Sequence, residues 1–224
     1  MSGRRWLRAS AGPVTSAPVT PDAKPEISVV LCTVDRPEYL RLAVASLGNQ
    51  TIPDTRFEVI VVDNGTGDTT RSTLGDAAMD MPNLRTVHEP VAGLSQARNR
   101  GTREAAGDIV LFMDDDAVAE PQLLEAHLRR LADPDGPVAT GGRIYLRWPG
   151  PCPSWVPASQ ESYYSGLDLG DTTRAMPFPE YPYGANMAIR RDLLLELGGF
   201  SVELGRRGRN LISTGRPAAI SSFT

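Results

Sequence analysis

Apolar residues recur along this chain in two periods, one of strands and one of helices. Ile27-Ser28-Val29-Val30-Leu31-Cys32 is a β-branched apolar run of the kind found in a strand covered on both faces. From Pro37, a residue suited to the first helical position, Leu40, Val44 and Leu47 fall on one face at the i, i+4, i+7 spacing. A second strand is expected over Phe57-Glu58-Val59-Ile60-Val61-Val62, closed by the turn-rich Asp63-Asn64-Gly65-Thr66-Gly67-Asp68. A weak helix over Thr69 to Met79, a strand over Leu84 to His88 and a helix over Gly93 to Ala106 stopped by Gly107 follow. Ile109 to Met113 then reads as a strand, and Pro121 to Ala132 as a helix with Leu123, Leu124, Leu128 and Leu131 facing inward. A last strand (Ala185 to Ile189) and short helix (Arg191 to Leu197) end at Gly198-Gly199.

Strands separated by helices predict an α/β domain with a mainly parallel sheet and helices on both faces. Ligands of such sheets bind beyond the carboxyl ends of the strands. The polar clusters Thr33-Val34-Asp35, Asp63-Asn64 and Asp114-Asp115-Asp116 all fall at those ends, so three strands bring carboxylates to one edge.

The flanks differ from this body. Residues 1–26 are rich in Ser, Ala, Pro, Thr and Gly without an apolar period, and read as a disordered leader. The folded domain is expected over 27–215, with 216–224 an atypical tail. Within the domain, Trp148 to Pro182 is rich in proline and carries Trp155, Tyr163, Tyr164, Phe178 and Tyr181, which favours a packed loop facing substrate.

Composition narrows the class. Of 224 residues, 41% are hydrophobic and 22% charged, as in an ordinary globular protein, and the net charge of −4 disfavours a general nucleic-acid binder. Cys32 and Cys152 are too few for a disulfide scaffold, and Cys32 reads as a small buried hydrophobe. No run approaches the roughly 18 apolar residues of a membrane span, and the expected location is the cytoplasm, with peripheral membrane contact left open. Arg206, Arg207 and Arg209 form a basic cluster that is either solvated or attractive to an anionic lipid headgroup.

Each acidic cluster has a plain reading beside a chemical one. Asp114 to Asp116 is either a solvated turn or a carboxylate pair for a hard divalent cation that keeps waters and binds phosphates. Side-chain alternation along extended backbone would bring Asp114 and Asp116 together and send Asp115 away. Asp63 either makes the turn through its backbone hydrogen bonds or accepts one from a nucleobase or ribose. Asp35 either caps the helix at Pro37 or faces the ligand edge, and Thr33 is similarly two-sided. Arg98, on a helix, is either solvated or placed to meet a pyrophosphate bidentately.

Taken together, Cys32 to Leu40, Val61 to Gly65, Leu94 to Gly101, Phe112 to Asp116 and Gly184 to Arg191 with Gly198-Gly199-Phe200 resemble a family 2 glycosyltransferase of the inverting GT-A fold. The resemblance spans about residues 27 to 215 and implies a Rossmann-like mixed sheet. It implies that Asp63 contacts the base of a nucleoside diphosphate sugar, with Thr33 and Asp35 lining the nucleoside pocket. Arg98 would lie near base or diphosphate, Asp114 near the ribose, and Asp116 would hold Mg2+ or Mn2+. The acceptor would be a sugar, lipid-linked or small-molecule hydroxyl, as in polysaccharide biosynthesis. Val34 departs from the aromatic that many relatives place over the base.

The acidic pair that usually supplies the general base after Gly-Gly-Phe is absent: Leu211 to Gly215 is followed by Arg216 to Thr224, and no acid follows Glu203. The expectation is a chain truncated near Gly215, with Glu203 a weak substitute base. A donor-binding domain without turnover is therefore one alternative. A metal-dependent nucleotidyltransferase is another, disfavoured because Thr33 to Pro37 holds no glycine for a phosphate loop. A dinucleotide oxidoreductase fails for want of G-x-G-x-x-G.

Overall fold

The computed structural model describes residues 24–65, 70, 74, 81–148, 150–207 and 210–212. The leader up to residue 23, most of the Thr69 to Met79 segment, Arg209, and residues 213–224 with the expected break near Gly215 lie outside the described residues.

Four strands run parallel: β1 (Ile27–Thr33), β2 (Phe57–Asp63), β3 (Leu84–His88) and β4 (Ile109–Asp114). β5 (Ala139–Gly141) and β6 (Met187–Arg190) complete a six-stranded sheet in the order β3-β2-β1-β4-β6-β5, with β6 antiparallel to both neighbours. The sheet is thus mixed and mainly parallel. A separate hairpin pairs β7 (Gly205–Arg207) with β8 (Asn210–Ile212).

Side-chain alternation divides the core in two. Val29, Leu31, Val59, Val61 and Leu111 face α1 (Pro37–Leu47) and α3 (Leu123–Leu131), which contribute Leu40, Val44, Leu47, Leu124, Leu128 and Leu131. Val30, Ile60, Val62, Val110 and Phe112 face α2 (Leu94–Glu104) and α4 (Arg191–Glu196). Both sheet faces are covered, which is why β1, β2 and β4 are nearly continuous apolar runs. Leu123, expected in the core, is only partly buried beside it.

Two glycines fix how closely α2 and its exit approach β1. A Cβ on Gly101 would collide with the Val30 side chain, so the helix lies directly on the strand. Gly107, expected as a helix stop, sits two residues past the cap at Ala105. Its role is close approach: a Cβ there would lie 2.8 Å from the Ser28 backbone nitrogen, and its own N–H donates to Ser28 Oγ at 2.9 Å.

Candidate functional site

Successive connections step outward from β1 to β2 to β3, then return across β1 to β4. The strand order therefore reverses between β1 and β4, and the crevice at their carboxyl ends is where such a sheet binds ligands. Registration sets the polar row there: Thr33 pairs with Asp63, Asp63 with His88, and Cys32 with Asp114.

On the β2 side, Asp35 and Asp63 converge on one glycine. Asp63 is buried and accepts the Gly65 N–H at 2.9 Å, and a Cβ on Gly65 would lie 2.8 Å from Asp35 Oδ1 and 3.1 Å from Asp63 Oδ1. Asp35 holds a left-handed φ of 49°, and it does not cap α1: Arg36 takes the cap position, without a side-chain hydrogen bond. Asn64 clamps the neighbouring loop, donating to the Glu89 and Val91 carbonyls at 2.7 and 2.9 Å and accepting from Gly93 N–H at 2.8 Å. The Asp63 turn and the start of α2 are therefore tied together. Glu89, buried and accepting the Val91 N–H, belongs to this loop and was not anticipated from sequence.

On the β4 side, the acidic triplet is arranged differently from strand alternation. Asp114 ends β4 and lies 3.6 Å from Arg98 Nη2. Asp115, expected to diverge, turns inward: it is buried, accepts from Thr33 Oγ1 at 2.7 Å and pairs with Arg36 Nη1 at 2.9 Å. Arg36 Nη2 holds Asp116 at 2.7 Å. The alternation fails because Asp115 and Asp116 belong to a turn, not to extended backbone. Burial pushes the Asp115 carboxyl above its ordinary range, while the Thr33 hydroxyl and Arg36 pull the other way. Thr33 is itself buried, and its hydroxyl is engaged with Asp115.

Arg98 is not a solvated helical arginine. Its guanidinium lies 5.8 Å from the Phe112 ring centroid and 5.5 Å from that of Phe200, and the two rings meet edge to face at 5.1 Å. Next to Arg98, Asn99 accepts the Phe200 N–H and donates to the Phe200 carbonyl, each at 2.8 Å, and so anchors the Gly198-Gly199-Phe200 turn. Both glycines have left-handed φ, 80° and 76°. Glu203 lies exposed in the turn that follows. Cys32 is a free thiol, pushed up to about 12 by burial despite the opposing charge of Arg98.

Part of the proline-rich loop lines a cavity of about 510 Å3 with Tyr145, Glu161, Asp168, Tyr181 and Tyr183 among others, whereas Trp155, Tyr163 and Phe178, expected to pack, stand exposed. Tyr183, in its lining, is followed in the chain by Gly184, which abuts the Arg98 guanidinium. His127, on α3, joins this side of the molecule: Nδ1 lies 2.7 Å from Thr140 Oγ1 and Nε2 2.8 Å from Asn186 Oδ1.

Among the described residues no three His, Cys, Asp or Glu side chains gather as a metal cage. The donor set at the crevice fits a different kind of cation site. Asp116 offers a half-exposed carboxylate at an open strand end, which suits Mg2+ or Mn2+ retaining waters and taking its other oxygens from a diphosphate.

The sequence model of glycosyl transferase family 2 matches residues 28–197. The chain belongs to that family. Its relatives include a glucosyl-dolichyl phosphate glucuronosyltransferase of Haloferax volcanii, 32% identical over 82% of this chain and 58% of the relative. A mannosyltransferase from Pyrobaculum calidifontis, solved in complex with GDP-Man and Mn2+, superposes with a TM-score of 0.60 at 24% identity, covering 86% of this chain and 52% of that one. S. aureus TarS in complex with UDP-GlcNAc gives 0.55 at 20% identity, over 77% and 47%. The fold is GT-A, and the chain spans about half the length of these proteins. Among the described residues no helix is long and apolar enough to cross a membrane.

Proposed function

We propose that the crevice between β1 and β4 binds a nucleoside diphosphate sugar, from which the whole protein transfers the sugar to an acceptor hydroxyl with inversion. The observation that carries this reading is the meeting of Asp35 and Asp63 on one side of the strand-order reversal with Arg98, Asp114 and Asp116 on the other.

In this reading Asp63 and Asp35 accept hydrogen bonds from the nucleoside, with the bare Gly65 leaving space beside them. Asp114 meets the ribose. Arg98, resting against the edge-to-face pair of Phe112 and Phe200, presents its donors to base or diphosphate. Thr33 acts through Asp115, fixing the turn that carries Asp116. Asp116 would hold Mg2+ or Mn2+, which when bound offsets negative charge on the leaving diphosphate. The match to a fold solved with GDP-Man and Mn2+ supports this assignment.

The acceptor enters from the cavity beside Gly184, where Tyr145, Tyr181 and Tyr183 provide ring faces for a sugar or lipid-linked sugar. An inverting reaction needs a group to take the acceptor's proton as the hydroxyl attacks the anomeric carbon. Glu203, exposed in the turn after Phe200, is a weak candidate for that task. A cytoplasmic location fits soluble nucleotide donors.

The reading is tested by thermal shift against UDP, GDP and their sugars with Mn2+. A shift with one nucleoside, lost in Asp116→Ala, supports it, and no shift with any donor overturns it. Binding without sugar transfer to any acceptor would instead identify a domain that holds the donor only.

A further inference from the structure

Arg36 is the residue of the crevice that neither the plain nor the chemical reading of the sequence used. Its guanidinium fork straddles two successive carboxylates, with Nη1 at 2.9 Å from Asp115 and Nη2 at 2.7 Å from Asp116. The two partners are held unequally. Asp115 is buried and also anchored by Thr33, whereas Asp116 is half exposed and its ion-pair partner is Arg36. The arginine is anchored at its base, while its paired head remains open to solvent. Its backbone caps α1, its carbonyl accepts the Leu40 N–H at 3.1 Å, and its exposed head rests over the half-exposed Tyr39 ring at 4.9 Å.

We propose that Arg36 is the resident counter-ion of the Asp115–Asp116 turn, and that it leaves Asp116 for the diphosphate when the nucleotide arrives, so that divalent cation and nucleotide bind cooperatively. The inference rests on the donor site proposed above and concerns how its charges are managed. With Arg36 in place, the two carboxylates are already half neutralised, and a dication at Asp116 would leave an excess of positive charge beside a guanidinium. A nucleoside diphosphate reverses that balance, since its phosphates accept the fork bidentately and supply further negative oxygens. Removing the Arg36 charge should therefore favour the cation alone and weaken its dependence on nucleotide. Linkage requires the same factor to appear in nucleotide affinity with and without cation.

The test measures Mn2+ binding to the full chain by the loss of the free-ion EPR signal, with and without saturating UDP or GDP and corrected for Mn2+ chelated by nucleotide in solution. The wild type is compared with Arg36→Gln and Arg36→Lys. The expected result is tighter binding of Mn2+ alone to Arg36→Gln, on the order of tenfold, with the nucleotide-dependent enhancement reduced in proportion. Arg36→Lys, which keeps one charge but cannot span both carboxylates, should fall between, and it serves alone if Arg36→Gln does not fold. A merely structural role for Arg36 would lower stability without raising affinity for Mn2+. Variants that bind Mn2+ alone no more tightly than the wild type, while the wild type still binds UDP or GDP, overturn the counter-ion role and leave the donor site standing. Failure of the wild type to bind any nucleotide overturns both.

Discussion

Gly184 lies directly against the guanidinium of Arg98, with no space between them for a side chain. The contact joins the segment leaving the aromatic cavity to the arginine that reaches Asp114 at 3.6 Å. The cavity's lining segment and the crevice arginine are thus in van der Waals contact through one glycine.

Gly184→Ala should therefore displace the Arg98 head from its place against Phe112 and Phe200. We expect nucleoside diphosphate affinity to fall roughly tenfold, equivalent to about 1.4 kcal/mol. The fold should survive, because the obstructing atoms belong to the end of a side chain. Isothermal titration with UDP and GDP checks this, and unchanged affinity would separate Arg98 from the donor.

Gly101 answers to a stiffer neighbour. Its missing Cβ is replaced by both methyl groups of Val30, a buried β1 residue that cannot swing away. Gly101→Ala should destabilise the domain by about 1–3 kcal/mol, as overpacking does. Combining it with Val30→Ala should cost less than the two single changes summed, since the cavity and the added methyl compensate. Additive costs in denaturant unfolding would show that α2 is not pressed on β1 there.

Asn99 holds the Phe200 backbone by both its N–H and its carbonyl. Asn99→Ala leaves these partly buried groups without their partner and should cost about 1–3 kcal/mol. Because Phe200 is one of the two rings against which Arg98 rests, nucleotide affinity should fall as well. Loss of stability with unaltered nucleotide binding would confine Asn99 to a structural role.

The legible parts of this molecule were those set by local period. β1, β2 and β4 lie within a residue or so of their apolar runs, and Leu40, Val44 and Leu47 are buried on one face of α1 as their spacing requires. Asp35, Asp63 and Asp114 could be placed on one edge because strand ends in a parallel sheet share it. What period cannot show is which way a turn points. Alternation makes Asp115 diverge only where extended backbone continues past Asp114, and the chain turns there instead; a loop arginine such as Arg36 has no pattern to mark it. The antiparallel insertion of β6 between β4 and β5, and the hold of Asn64 on the Glu89 loop, depend on contacts far apart in sequence. His127 carried no signal either, as one polar position on an amphipathic helix.

His127 gives the molecule a pH dependence whose sign follows from its burial. Its side chain is enclosed between Thr140 of β5 and Asn186, and burial lowers its pKa from 6.5, with the Asn186 hydrogen bond opposing in part. The unfolded chain takes up a proton near 6.5, whereas the folded chain resists until the pH is lower. The stability this group supports is thus complete above about pH 6.5 and is lost as pH falls toward the folded value, at no more than about 1.4 kcal/mol per pH unit. Unfolding free energies of the wild type should drop between about pH 7 and 5 more steeply than those of His127→Gln, which has no proton to gain. Equal slopes would mean that the imidazole is solvated. Protonation keeps the bond to Asn186 Oδ1 and makes Nδ1 a donor toward Thr140 Oγ1, so its cost is the burial of charge and not the loss of either partner. As the domain loses stability in this pH range, proteolysis within 143–186, the stretch tied to His127 through Asn186, should rise in the wild type and not in the variant.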